Sequence, residues 1–507
     1  ETIRTGLIGA ILGAASGGWT NDCFGRKRSF LIADALIFMG GALHMLLIYI
    51  GDKYSMENIG IMFIGLGVGM VSMTSPLYIS EFSPPKLRDI LVSINFVLYG
   101  VGKFTFLYLY SDPIRTTNYI IALAGILALY QFRLMRPLPE SPMWLSKKDR
   151  EDDAIKDLKI IYELGEVEKD FDAFKISIRR EITDEDELSY SGSSIFSKIR
   201  SAWSNPSVRK QFVVGTTLQV VQQLVGLNAL VYCIPSINKM NGFGSTNPKD
   251  DTAFMKSSLF ASFGVLSVFS GFCFTLCLVA RFEKRKMLLW SLYCVLGSLL
   301  VLSFIFIVSP NTDEAVSRFE STIQFKNNTC LSYITAPDAD SWDCWTCLRA
   351  STGCGFCRGM HHNFLGQSSG ACLISEPDGT SQACAAENRS WRTKACGHNI
   401  FRLPTLASFT IYNLSYSIIL EIIPWIMNSQ MYPTEVRGIF GGTAATANWM
   451  FFLVAITLYF FSTKKGGSIF TFLLVSLFSF SILWLIKLFV PENINFLTST
   501  RRKKVVE

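Results

Sequence analysis

Gln219, Gln222 and Gln223, followed by Asn228, place four amides in the stretch LQVVQQLVGLN, inside a run apolar enough to cross a bilayer. Positions i, i+3 and i+4 share one face of an α-helix, so the three glutamines point the same way. Each amide carries both donor and acceptor, which suits an uncharged polyol whose hydroxyls do the same. Asn228 lies about 140° from Gln223 on an unbroken helix and joins that face only if the helix unwinds near Gly226. Amides in membrane helices also hold neighbouring helices together, which is the second reading of this cluster.

The elements that must position these amides are membrane helices. Half of the 507 residues are hydrophobic, 17% are charged, and the mean hydropathy is +0.32, outside the usual balance of a soluble domain. Apolar runs near bilayer length fall at about 5–19, 29–50, 58–79, 90–110, 119–135, 211–237, 254–280, 287–309, 403–430, 439–462 and 468–490, the first of them short. The net charge of +7 is spread over short loops between these runs, which speaks for membrane orientation and against a nucleic-acid partner. GRKR (Gly25–Arg28), PPKLR (Pro84–Arg88), the segment 137–210, RFEKRK (Arg281–Lys286), EVRG (Glu435–Gly438) and RRKK (Arg501–Lys504) occupy alternate gaps. Those gaps and the C-terminus are therefore expected in the cytoplasm, with Glu1 outside and no signal-peptide pattern before it.

Loops in the two halves echo each other. EFSPPKLRD (Glu81–Asp89) aligns with QMYPTEVRG (Gln430–Gly438), DCFGRKRS (Asp22–Ser29) with ARFEKRKM (Ala280–Met287), and PESPMWL (Pro139–Leu145) with PENINFL (Pro491–Leu497). The wider spacing of the second set matches the length of one insert at 310–398, so the simplest organisation is two homologous halves with an insertion. Six spans in the second half against five in the first imply a further helix before Glu1. The expected divisions are an N-terminal bundle at 1–136, a cytoplasmic loop with short helices at 137–210, a C-terminal bundle at 211–309 and 399–490, the insert at 310–398, and a tail at 491–507.

With GGWTNDCFGRKRS, GLGVGMVSMTSPLYISE, PESP, LQVVQQLVGLN, PWIMNS and RGIFGGTAATANW in this order, the chain resembles the sugar porters of the major facilitator superfamily, and among them the plant proton-coupled inositol transporters. The resemblance spans nearly the whole chain. It implies an all-α integral membrane fold of two pseudo-symmetric bundles that rock around a central site. It also implies that Trp425, Asn448 and Trp449 join Gln219, Gln222, Gln223 and Asn228 as substrate contacts, an aromatic face over the CH side of a ring and amides on its hydroxyl edge. A tryptophan near a helix end also serves as an interface anchor, the other reading of Trp449. By the same resemblance Asp22, Arg26, Glu81, Arg88, Glu140, Arg281, Arg437 and Glu492 form a cytoplasmic latch between the halves. Proton coupling would rest on a carboxylate in the helix expected before Glu1.

Several positions depart from that pattern. Ile61 stands where the family has Arg, Met143 replaces the Arg of PESPR, Ala280 and Glu283 replace Asp and Gly, Gln430 replaces Glu, and Asn118 and Tyr119 stand in the usual Trp-Arg-Trp. The expectation is a latch weakened by charges that have lost partners. Two unexpected charges, Lys103 and Glu421, lie in apolar runs; either they meet across the central cavity, Glu421 one turn before Trp425, or each finds local hydroxyls or snorkels separately.

Eight of the thirteen cysteines crowd the insert: Cys330, Cys344, Cys347, Cys354, Cys357, Cys372, Cys384 and Cys396. CWTC and CGFC near His361 and His362 could hold zinc, but an even count on a translocated face favours disulfides, with the pairing open. Sequons at Asn327 and Asn388 bracket the module and mark it as glycosylated. Its pattern resembles the plexin, semaphorin and integrin type of module, which suggests a structural role or an extracellular protein contact. No hydrolytic triad, phosphate-binding loop or metal-ligand helix appears in the spans, so neither an enzyme nor a cofactor is expected. The function expected is secondary transport of inositol or a related polyol or sugar, coupled to protons, at the plasma membrane. The alternative is a transport-inactive relative that senses solute or displays its cysteine module.

Overall fold

The computed structural model describes residues 2–50, 57–84, 87–109, 113–148, 150–162, 195–226, 237, 279, 281–308, 315–336, 339, 342–351, 353–359, 369–376, 379–393 and 402–489. The run expected at 254–280, with Asn228, Glu492, Cys396, His361, His362 and the side chain of Lys103, lies outside the described residues.

The N-terminal half comprises α1 (Thr2–Phe24), α2 (Arg26–Ile50), α3 (Glu57–Phe82), α4 (Arg88–Leu109) and α5 (Pro113–Met135). Each is an apolar run whose helical turns meet most backbone hydrogen bonds internally, the condition for lying in lipid. The run read as short extends to Phe24, because Thr20, Asn21 and Asp22 are buried against other helices and do not end the helix. Their polarity hid the last turns from a hydropathy reading.

Among the described residues three short helices follow: α6 (Pro142–Lys147), α7 (Glu151–Tyr162) and α8 (Ile195–Ser204). Ser141 caps α6, its Oγ accepting from Trp144 N–H, and Asn205 caps α9 (Pro206–Leu224) by accepting from Ser207 N–H. Both helices open on proline, which lacks the N–H that a first-turn position leaves unpaired.

Among the described residues the rest of the C-terminal half is α10 (Lys284–Val308), a helix that passes from α to π and back to α, and a long pair. Arg402–Ser415 is α-helical, Tyr416–Leu420 is one π-turn, and Ile423–Gln430 resumes as an α-helix. Pro424 explains the break, since it cannot donate to a carbonyl one turn back. The single run expected at 403–430 is therefore interrupted. The final helical stretch, Arg437–Phe489, breaks at Gly467, whose φ of 69° favours glycine. Ser462 and Thr463 hydroxyls meet Thr471 at 2.9 and 3.0 Å, so the chain reverses there. Among the described residues six helical segments have the length and hydropathy to span a membrane.

Between α10 and Arg402 sits a small module with a three-stranded antiparallel sheet in the order Gly370–Ile374, Cys354–Arg358, Trp391–Arg392. Disulfides join Cys330 to Cys354, Cys347 to Cys372 and Cys357 to Cys384, each with 5.7 Å between Cα atoms, and Cys344 is disulfide-bonded as well. Its core is Tyr333, Trp342 and Phe356 with the cystines, too small to hold a fold without staples. Asn327 and Asn388 are both exposed on its surface.

Candidate functional site

The amides converge. Asn448 Nδ2 donates to Gln219 Oε1 and Gln222 Oε1, both at 2.8 Å, and to the Gln219 carbonyl at 3.0 Å. Gln223 Nε2 in turn donates to Asn448 Oδ1 at 3.1 Å. All four side chains are buried, Gln219 completely. The helical spacing of the glutamines thus produces one amide cluster, with its hub on the facing helix. Gln219 Nε2 is buried and finds no acceptor among the described residues. Such a donor costs about 1–3 kcal/mol and is relieved by any oxygen that enters the cluster.

The π-turn supplies a contact that sequence reasoning missed. Trp425 N–H bonds to the Ile422 carbonyl, which frees the Glu421 carbonyl, and Gln222 Nε2 donates to that oxygen at 2.9 Å. Pro424 was the available signal, but the register of the break depends on the whole helix. Glu421 therefore reaches the cluster through its main chain. The expected approach of its carboxylate to Lys103 falls outside the described side chains.

Two tryptophans pack across the boundary between the halves. Trp425 stacks on Phe96 with centroids 5.7 Å apart, and Trp449 Nε1 donates to Ser72 Oγ at 3.1 Å. Both tryptophans pack with Ala14, Met73, Leu77 and Ala445, so Trp449 lies between the halves and not at a membrane interface. Below this layer α1 crosses the Arg437 helix at glycines: a Cβ built on Gly442 would lie 2.5 Å from Gly18 Cα.

The latch residues lie at the end of that seam. Arg26 is buried and bidentate on Glu81, Nε and Nη2 each at 2.7 Å, while Nη1 donates to the Asn21 carbonyl. Glu81 also accepts from Ser141 Oγ and stands 3.7 Å from Arg437 of the other half. Glu140 Oε1 accepts from Arg26 N–H, Lys27 N–H and Ser141 N–H, capping α2. Asp22 Oδ2 accepts from Ile439 N–H, so a carboxylate of one half caps a helix of the other, where the helix dipole favours it. Arg88 is half-buried where α4 begins, beside Asp89.

The substituted positions are satisfied. Met143 Sδ accepts from Arg437 Nη1 at 3.4 Å, and Gln430 Nε2 donates to Asp89 Oδ1 at 2.9 Å. Lys284 reaches the same oxygen at 3.0 Å, whereas Arg281 is exposed before the helix begins. In the repeat Lys284, not Arg281, aligns with Arg26, which accounts for the exchange. Among the described residues, then, two of the substitutions make contacts of their own, Met143 with Arg437 and Gln430 with Asp89, while Ala280 and Glu492 lie outside them.

Two helical halves closed against each other at one end, with a buried amide cluster inside the C-terminal half, are the arrangement of a membrane solute carrier of the major facilitator fold. A family model described as "Sugar (and other) transporter" matches residues 4–323. A probable inositol transporter of Arabidopsis thaliana is 37% identical over 97% of this chain and 81% of its own length. The proton myo-inositol cotransporter of Homo sapiens is 30% identical over 92% of this chain and 69% of its own. An MFS proton:xylose symporter structure superposes with a TM-score of 0.60 at 19% identity, covering 97% of this chain and 85% of that one. The chain belongs to the sugar transporter family. It is a transporter and not an enzyme.

Proposed function

We propose that the protein carries inositol or a related polyol across a membrane by alternating access, in symport with protons. The observation that carries this reading is the buried amide cluster with the unpaired Gln219 Nε2. A polyol offers that nitrogen an acceptor and exchanges amide–amide bonds for amide–hydroxyl bonds, while Trp425 and Trp449 cover its CH faces. Gln222, Gln223, Asn228 and Asn448 complete the proposed contacts. Several relatives are named as inositol transporters, and some as proton cotransporters, which supports the substrate and the coupling ion.

In this reading the basic end is cytoplasmic, the membrane is the plasma membrane, and the cysteine module with its two sequons faces outward. Asp22, Arg26, Glu81, Arg88, Glu140, Arg437 and Lys284 hold the cytoplasmic end closed. Against the transport-inactive reading stand the relatives named as inositol transporters, and the ion pairs that Arg26, Glu81, Lys284 and Asp89 keep at the closed end.

Uptake of labelled myo-inositol into proteoliposomes under an imposed pH gradient tests the proposal. Saturable uptake that collapses with the gradient is expected, and Asn448→Ala should lower affinity tenfold or more, since it unseats all three glutamines. Absence of uptake with a gradient of either sign would refute the transport reading, and gradient-independent uptake the coupling.

A further inference from the structure

The short helix α6 is fixed to one half of the molecule and touches the other. Ser141 Oγ donates to Glu81 at 2.6 Å, and Trp144 Nε1 donates to the Asp22 carbonyl at 3.1 Å. With Glu140 capping α2, the beginning of α6 moves with the N-terminal half. Its last residue crosses the boundary. Lys147 Nζ donates to the carbonyls of Glu435 at 2.8 Å and Thr434 at 3.3 Å, in the turn that precedes the Arg437 helix. The ammonium also lies 3.8 Å from Asp22 Oδ1 and 4.0 Å from Glu435 Oε2, and its side chain is 10% exposed.

We propose that Lys147 is the positioning residue by which α6 straps the basic end shut, a role that rests on the alternating-access reading. The charge balance explains why the cation stands at 147 and not one turn earlier. Met143 is buried beside Arg437, and Arg26 and Arg437 already share Glu81. A further cation at 143 would be a buried surplus of positive charge. At 147 the ammonium meets two carbonyls and two carboxylates at the rim, where it is partly hydrated and released at modest cost. The carbonyls belong to a turn that must leave α6 if the halves separate. The contact is therefore made only when the end is closed, and its free energy biases that state alone.

The test is the distance across the basic end in lipid nanodiscs, read by pulsed electron paramagnetic resonance. Labels carried on non-native keto amino acids at Asp153 and Lys286, exposed positions on α7 and α10, leave the native cysteines untouched. Lys147→Met keeps the aliphatic stem and removes the donors; it should lower the closed-to-open ratio about tenfold, as expected for loss of charge-assisted hydrogen bonds. Lys147→Arg should restore the ratio, and Lys147→Glu should lower it further. Lys147→Gln serves as a second neutral variant should the methionine protein fail to fold. A distribution unchanged in both neutral variants, or an arginine variant as open as they are, overturns the proposal. The measurement needs no substrate, so it stands apart from the uptake assay: loss of inositol transport in the parent protein would refute the proposed function and leave this reading of Lys147 intact.

Discussion

On one flank of the closed end, Arg26 and Glu81 form a completely buried bidentate pair within the N-terminal half, and Arg437 leans on it from the other half. On the other flank Lys284 and Gln430, their counterparts in the repeat, both turn to Asp89 across the boundary, with side chains 18% exposed for Lys284 and 27% for Asp89. The repeat preserved the places and not the contacts. With an amide at 430, Lys284 has no carboxylate there, so it pairs with the one opposite. The first flank is then a structural ion network that also latches, and the second is a half-buried cross-boundary contact.

The largest effect should come from the buried flank. Glu81→Gln leaves Arg26 and Arg437 beside each other without the carboxylate they share, with only Asp22 at 3.5 Å from Arg26, and removal of one partner from a buried network costs about 3–5 kcal/mol. Thermal unfolding in detergent should show this as the strongest single loss among the latch variants. A loss below about 1 kcal/mol would mean that water reaches the network and the contrast between the flanks is false.

The glycine seam comes next. At Gly442 an added methyl meets the backbone of Gly18 and cannot be accommodated by a rotamer change, so Gly442→Ala should cost about 1–3 kcal/mol, borne by the closed state. Gly125→Ala is the control, because its Cβ would sit 3.6 Å from Gly41 Cα in ordinary contact within one half. Cysteine-labelling rates at the basic end should rise in the first variant and stay level in the second. Equal rates in both would show that the halves do not close on this seam.

How far these features could be read from the sequence depends on whether they are local. The amide face of Gln219, Gln222 and Gln223 follows from helical spacing alone, and Asn448 from a quoted motif. The π-turn at Tyr416–Leu420 was not legible, because no residue there encodes it and only the distant proline hints at it. Likewise the exchange of Arg281 for Lys284 requires the two halves to be docked, although the repeat alignment already paired Lys284 with Arg26. The eight module cysteines announced a stapled domain, yet pairing Cys357 with Cys384 needed the sheet that places them together.

The smallest effect belongs to the half-buried flank, and it tests the comparison most finely. Lys284 and Gln430 bond the same oxygen of Asp89, so Asp89→Asn keeps an acceptor for both and removes only the charge. Exposed pairs are worth about 0.2–1 kcal/mol, and this pair, half-buried at the rim and not sealed like Arg26 and Glu81, should fall near the top of that range. A double-mutant cycle of Lys284→Met with Asp89→Asn should therefore give a coupling below about 1 kcal/mol. The coupling should fade as salt is raised toward 1 M, where the screening length drops to about 3 Å. Gln430→Glu restores a carboxylate beside Lys284 but places it against Asp89, so it should divide the lysine between two acids and weaken the crossing. A coupling above about 2 kcal/mol that persists in high salt would show a desolvated pair equal to the buried flank, and the two flanks would then have to be regarded as equivalent halves of one latch.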